Sequence, residues 1–292
     1  MRNAFSPITL EDMNRYREFH AASGTRAADY SFTNIWGWAD HYGLEWRFTD
    51  KLCWIRQTKP FVRDWAPMGW WKDVDWAATE EVASGKEFYR VPKPLRLLWE
   101  EQLPQGIDAE ESRGQWDYLY KTEELAALSG NRFHKKKNLF NQYVKKYPDH
   151  AYLPLTIECV EAVLQMQEEW CDWHESPESD ALKAENKAIF RVLSNWDRLP
   201  GLSGGFIADK GKVIAYTVGE QLTQDTLVIH FEKGDTEYKG IYQAINCFFA
   251  RDNVERFALI NREQDLDDEG LRKAKESYNP VDYVRKHTVR IK

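Results

Sequence analysis

Apolar and polar positions recur with two different periods along this chain, and the switches between them lay out its elements. After Thr9-Leu-Glu-Asp12, Met13, Tyr16 and Phe19 stand at helical spacing, predicting a helix to about Ala22 with Thr9 as its N-cap. Tyr30-Ser-Phe-Thr-Asn-Ile-Trp-Gly-Trp38 is strongly aromatic, with Thr33 placed to cap a short helix carrying Ile35, Trp36 and Ala39. Its rings read as a plug in the first domain's core, with a ligand-stacking surface as the alternative. From Leu44 the period drops to two: Leu44–Phe48, Leu52–Arg56 and Phe61–Trp65 read as short strands. Asp73–Ala83 then reads as a helix and Phe88–Val91 as a strand, and Pro94 opens a helix over Leu95–Gln102. Pro104–Arg113 reads as a polar connection and Trp116–Tyr120 as another strand. Helices mixed with short strands predict an α+β layout.

Thr122–Leu128 is a short helix stopped by Ser129-Gly130, which places a domain boundary between residues 129 and 130. The next helix, Asn131–Tyr147, turns Phe133, Phe140, Tyr143, Val144 and Tyr147 inward. Its outer face (Arg132, His134, Lys135, Lys136, Lys137, Lys145, Lys146) is the most basic stretch of the chain. Ala151–Thr156 reads as a strand. Two helices follow, one capped by Thr156 and running to Trp173, one from Asp180 to Trp196 with Glu185 and Lys187 as exposed charges. Three strands joined by tight turns then form an antiparallel meander: Gly205–Asp209, Lys212–Glu220 and Thr226–Glu232. Helix Ile241–Arg251, strand Phe257–Ile260, a helix from Gly270 and a last strand Val281–Val289 complete the chain. This order resembles the GNAT acyltransferase fold. In that fold the strand closing the meander and the strand after the next helix part, opening a cleft for the acyl donor.

With 292 residues, 42% hydrophobic and 30% charged, the chain is globular and long enough for two ordinary domains. The net charge of −7 argues against a general nucleic-acid binder, so the basic helix stands out as a local patch. That face reads either as solvated surface or as a seat for phosphates. No apolar run of roughly 18 residues predicts a membrane span, and no secretory leader is legible. Four scattered cysteines (Cys53, Cys159, Cys171, Cys247) read as reduced thiols of a cytoplasmic protein. Cys171 and His174 lack a second ligand pair, so no metal site is expected.

Several longer motifs carry a family resemblance: His230-Phe-Glu-Lys233, Gly240-Ile-Tyr-Gln-Ala-Ile-Asn246, Ile260-Asn-Arg-Glu-Gln-Asp-Leu266, Gly270-Leu-Arg-Lys-Ala-Lys275 and Ser277-Tyr-Asn-Pro280. Together with Asp29–Trp38 and Phe133-His-Lys-Lys-Lys-Asn138, they resemble an uncharacterised bacterial family (DUF2156) related to the C-terminal domain of phosphatidylglycerol lysyltransferase. The resemblance implies two tandem GNAT-like domains, 1–129 and 130–292, with mixed, largely antiparallel sheets. It also implies transfer of an aminoacyl group from aminoacyl-tRNA to an acceptor, as in Fem-type peptidoglycan aminoacyltransferases. The membrane portion of the full lysyltransferase is absent from this sequence, so a lipid headgroup acceptor would be reached from solution; small molecules and peptides are the other acceptors. The co-substrate is aminoacyl-tRNA or acyl-CoA, with no covalently bound cofactor, and a non-catalytic binding module on the same fold is the third reading. Asp235–Gly240 lacks the glutamine- and arginine-rich loop of acyl-CoA users, which counts against the second.

Such a transfer needs a seat for phosphates, a base near the nucleophile and donors for the oxyanion. On this resemblance Lys135, Lys136, Lys233 and the turn ending at Gly240 are the expected phosphate or tRNA-end contacts. Glu232, at its strand's end, is expected as the base or the anchor of the α-amine; His230, alternating with it on one face, fits either role. Asn261, Arg262, Glu263 and Asp265 are expected around the acceptor or amino acid, and Tyr278, Lys273 and Asn246 as donors. Plainer readings stand beside these: a Glu232–Lys233 strand-end ion pair, exposed helix charges at Lys273 and Lys275, and a core Tyr278 with its hydroxyl satisfied.

Overall fold

The C-terminal strand, Lys286–Ile291, does not join the sheet of the elements just before it. It pairs antiparallel with Glu87–Pro92 on one side and Ile107–Glu111 on the other. The computed structural model describes residues 4–174 and 180–292, and the chain divides into two units. One holds the residues up to Asp117 with Gln264–Glu269 and Tyr283–Lys292; the other holds Tyr118–Glu263 and Gly270–Asp282. The division thus falls at Asp117/Tyr118 and not at residue 129. Asp117–Lys121 pairs antiparallel with Leu259–Asn261, and the Thr122–Ala127 helix packs on Ile241–Asn253, where Arg251 Nε donates to the Ala126 carbonyl at 2.9 Å.

In the first unit the sheet runs in the order Ser6–Pro7, Leu44–Phe48, Leu52–Gln57, Arg63–Trp65, Glu87–Pro92, Lys286–Ile291, Ile107–Glu111. Tyr16, Tyr30, Phe32 and Trp46 are fully buried beside it, so the aromatic run is core. The short helix Phe32–Gly37 is capped by Ser31, which accepts from Asn34 N, and not by Thr33. The first helix starts at Met13 with no side-chain cap. Residues 73–83 form no continuous helix, only short 3-10 turns at Trp71–Asp73 and Glu80–Val82, because the Trp76 indole is drawn inward to the Trp71 carbonyl. Ile107–Glu111, expected as a connection, is a strand whose polar residues sit at the sheet edge, where charge is tolerated and discourages further pairing.

Three buried charges and a half-buried one meet in this unit. Lys286 donates to Asp29 and, at 2.7 Å, to Asp117; Arg90 donates to Asp29, and Ala28 N to Asp117 at 2.8 Å. Burial raises both carboxyls, but Lys286 and Arg90 outweigh it at Asp29, whose pKa ends below the usual value. At Asp117 burial prevails, reinforced by Asp29 against Lys286, and the carboxyl is raised to about 6. Each charge is hydrogen-bonded, the condition under which a protein interior tolerates such a group.

In the second unit the strands run Asp117–Lys121, Leu259–Asn261, Thr226–Gly234, Lys212–Gln221, Leu202–Asp209, Ala151–Pro154. The predicted meander is present and antiparallel throughout. Helices His134–Lys146, Val160–His174, Asp180–Leu193, Ile241–Asn253 and Glu269–Glu276 surround or follow it. The Thr156 hydroxyl bonds to Glu158 and caps nothing. Gly240 enters the Ile241–Asn253 helix at φ 92°, and a Cβ there would lie 2.5 Å from the Leu139 carbonyl. The basic helix therefore packs against this glycine's bare backbone. Gly240→Ala is expected to destabilise the protein by about 1–3 kcal/mol, from the disfavoured φ and the backbone clash together. An unchanged urea midpoint for the variant would refute that packing.

Candidate active site

Thr226–Gly234 and Leu259–Asn261 are the parallel neighbours on which the site depends. They pair only over Thr226↔Leu259, Leu227↔Ile260 and Val228↔Asn261. The longer strand then continues to Gly234, while the shorter one ends at Asn261. Pairing thus stops short of the longer strand's end, and the site is built from side chains past the last pair.

A β-bulge decides which side chains those are. Across the hairpin Val218 faces Phe231 and Gly219 faces Ile229, so His230 is the extra residue. The bulge breaks the alternation expected to place His230 and Glu232 in one cluster: the two engage different partners. Glu232 accepts from Arg262 Nη2 at 2.9 Å and from Asn246 Nδ2 at 3.2 Å. The Arg262 guanidinium lies 4.8 Å from the Tyr278 ring centroid, and Lys136 Nζ lies 4.2 Å from the same ring. Gln243 and Arg262 hold the Tyr278 hydroxyl, whose pKa burial raises to about 12 against the pull of Arg262. Burial first, and then the nearby Arg262, lower the Lys136 ammonium to about 8. One acid, two cations, two amides and a phenol thus meet past the last pair of the two parallel strands.

His230 forms a second cluster. Its Nδ1 lies 2.9 Å from Glu263 and its Nε2 3.3 Å from Glu220. Burial alone would lower its pKa; the hydrogen bonds and charges of Glu220 and Glu263 outweigh this and raise it to about 9. Near neutral pH it is therefore an imidazolium with both nitrogens engaged, which corrects its expected role as a base. Glu263 is held with φ 56°, and its N–H donates to Asn261 Oδ1 at 2.8 Å. A non-glycine residue in that region is strained, and strain of this kind collects at functional sites.

Other expected residues go elsewhere. Lys233 is buried, donates to Glu185 at 2.8 Å and lies over the Trp170 ring, so it is not a free phosphate contact. Glu185, expected to be exposed, is its partner. Asp265 belongs to the first unit, where it accepts from Arg113 at 2.9 Å. Lys273 is exposed on its helix, and it is Lys275 whose Nζ reaches the Arg262 carbonyl at 2.6 Å. Lys135 is exposed while Lys136 turns inward. The His174 side chain lies outside the described residues. Glu220 and Gln243 are the residues that sequence reasoning passed over, and Lys275, read only as an exposed helix charge, is the third that the site uses. Glu220 left a trace, being an acid near the buried end of an apolar strand, opposite Val228 on the strand that carries His230.

Residues 21–290 match the family profile of the phosphatidylglycerol lysyltransferase C-terminal domain. The chain belongs to that family. A conserved protein of unknown function from Bacteroides thetaiotaomicron is 32% identical, with 99% of each chain covered and a TM-score of 0.87. The C-terminal domain (DUF2156) of a proposed lysylphosphatidylglycerol synthetase from Agrobacterium fabrum is 12% identical over 97% of this chain and 92% of that one, with a TM-score of 0.65. FemX, at 8% identity over 99% and 97% of the two chains, superposes with a TM-score of 0.59. These last two show the fold alone: α+β, with mixed and largely antiparallel sheets. An uncharacterised protein of Mycoplasmoides gallisepticum is 23% identical over 196 residues, 64% of this chain and 63% of that protein. Among the described residues no helix is long and apolar enough to cross a membrane.

Proposed function

We propose that the second unit transfers an aminoacyl group from aminoacyl-tRNA to an amine or hydroxyl acceptor. The observation that carries this reading is the Glu232–Arg262 pair, which lies just past the last residue pair of the two parallel strands. Membership of the lysyltransferase family supports it. In the reaction the acceptor heteroatom attacks the ester carbonyl of the donor. The bond between that carbonyl and the ribose oxygen breaks, and the acceptor's proton ends on the departing oxygen. Arg262 and the Tyr278 hydroxyl are the donors for the carbonyl oxygen as it gains charge. Lys136, with the exposed Lys135 beside it on the same helix, is the contact for the tRNA end.

The test incubates the protein with radiolabelled aminoacyl-tRNAs and, in separate arms, phosphatidylglycerol vesicles, peptides and small amines. Label appearing in any acceptor fraction supports the reading. Label moving only from acyl-CoA supplied in place of tRNA overturns it. A further expectation follows from Lys136. Because its pKa is about 8, its ammonium is present below that pH and lost above it. KM for aminoacyl-tRNA is therefore expected to rise as pH passes through about 8. Lys136→Arg, charged throughout, should keep the low KM at pH 9. An inflection that persists in Lys136→Gln would assign the titration to another group.

A further inference from the structure

We propose that the hairpin tip Lys59-Pro60-Phe61-Val62-Arg63 docks the first unit onto an anionic lipid surface. Docking of this kind is independent of what the second unit transfers, and it stands or falls on its own measurement.

The tip is firmly anchored, yet what it presents to water is apolar. Leu52–Gln57 and Arg63–Trp65 pair antiparallel, with Gln57 opposite Arg63, and residues 58–62 make the turn between them. Thr58 N and Lys59 N donate to the Tyr42 carbonyl at 3.1 and 2.9 Å, and the Thr58 hydroxyl donates to the Gly43 carbonyl at 2.8 Å. From beneath, the buried Gln57 amide donates to the Lys59 carbonyl at 2.6 Å and accepts from the Trp65 indole at 3.1 Å. Past this anchorage Phe61 and Val62 are 67% and 70% exposed. Among the described residues no other two adjacent large apolar side chains are both so bare. A loose loop could fold such side chains back over the core; one pinned at its base holds them out.

Size and charge choose the occupant. Two such side chains offer on the order of 200–300 Å² of apolar surface, far below the roughly 800 Å² per partner of a stable protein interface. A protein partner would need further apolar contacts beside them, and the flanking positions are instead Lys59 and Arg63, both exposed. A lipid surface needs no such area, because side chains that pass the headgroups are surrounded by acyl chains. The cations stand on either side of the apolar pair: Lys59 Nζ meets the Asp40 carbonyl at 3.3 Å, and the Arg63 guanidinium lies 4.5 Å from the Tyr89 ring centroid. Asp64, the next residue, accepts from Arg56 at 2.7 and 3.2 Å, so its charge is met within the sheet. Apolar residues between two cations suit the boundary of an anionic bilayer, where each cation adds attraction at close range. The chain's net charge of −7 repels the same surface from a distance, so adhesion depends on contact by the tip.

The experiment is cosedimentation of the full chain with vesicles of phosphatidylcholine mixed with phosphatidylserine, and with vesicles of phosphatidylcholine alone. Phosphatidylserine supplies the negative charge so that no phosphatidylglycerol is present as an acceptor. The chain is expected to partition onto the mixed vesicles. Phe61→Ser/Val62→Ser should lower the partition coefficient at least about tenfold, the loss of two apolar side chains from the bilayer. Phe61→Leu, still apolar, should retain it. Lys59→Gln/Arg63→Gln should close the gap between mixed and neutral vesicles, at about fivefold per charge. All four side chains are exposed, so thermal midpoints should not move, which separates lost docking from lost folding. An unaltered chain that does not partition, or a serine variant that partitions equally, overturns the proposal. So does a gap that survives Lys59→Gln/Arg63→Gln, which would assign the attraction to other cations such as those of the basic helix. Loss of self-association in the serine variant, with vesicle binding unchanged, overturns it in favour of a contact between copies of this chain.

Discussion

Replacing Arg262 by Ala is expected to lower the rate of aminoacyl transfer by at least about 100-fold, the effect of losing one preorganised oxyanion donor. Glu232→Gln is expected to do comparable damage while keeping the side chain's shape. The two residues act as one unit: their side chains are 15% and 10% exposed and meet at 2.9 Å. Removing one partner of a buried pair leaves the other charge uncompensated, at a cost of roughly 3–5 kcal/mol. Arg262→Ala should therefore also lower the unfolding midpoint, and Glu232→Gln, which retains an acceptor, should lower it less. Because the losses share a cause, the double variant should be little worse than the poorer single one. Initial rates of label transfer, with thermal melts as the control for folding, decide the matter. Folded single variants that transfer at the unaltered rate would remove this pair from the chemistry.

Much of the frame was legible because it depends on local pattern. The meander follows from apolar runs separated by Lys210-Gly211 and Thr223–Asp225, and the buried face of the basic helix from Phe140 and Tyr143. That Thr226–Gly234 and Leu259–Asn261 lie side by side was foreseeable from element order, since a crossover helix joins them. Placement that depends on distant partners was not legible. Whether Lys286–Ile291 completes one sheet or the other is settled by hydrogen bonds to Glu87–Pro92 and Ile107–Glu111, about which the strand's own sequence is silent. The inward turn of Lys233 needed Glu185, which lies 48 residues away. The site itself was half legible. Glu232, Arg262, Asn246 and Tyr278 do converge, but a single bulged residue sent His230 to other partners, and alternation cannot report a bulge in advance. Lys275 and Lys273 have the same chemistry on the same helix, and only packing chooses between them.

His230 carries the other large effect, which is on stability and its dependence on pH. Its pKa is 6.5 in the unfolded chain and about 9 in the folded one, because Glu220 and Glu263 each engage one ring nitrogen and outweigh the burial that opposes them. A raised folded pKa means that the protonated form is bound more tightly by the native state. The resulting stability is complete below pH 6.5, declines as pH rises, and is gone above about pH 9. A shift of this size corresponds to about 3 kcal/mol. Urea midpoints should therefore fall between pH 6.5 and 9. In His230→Ala this contribution to the decline should vanish, and stability at pH 6.5 should drop by roughly 3–5 kcal/mol, since the cation shared by two carboxylates is lost. The consequence reaches the reacting groups through the backbone. Glu263 directly follows Arg262, and its strained φ of 56° is maintained by the His230 contact on its side chain and the Asn261 contact on its N–H. Released from His230, Glu263 can relax toward an ordinary conformation and turn Arg262 away from Glu232. Transfer should then fall in His230→Ala even at temperatures where the variant is fully folded. A variant that keeps both the pH slope and the transfer rate would show that the histidine clamps nothing.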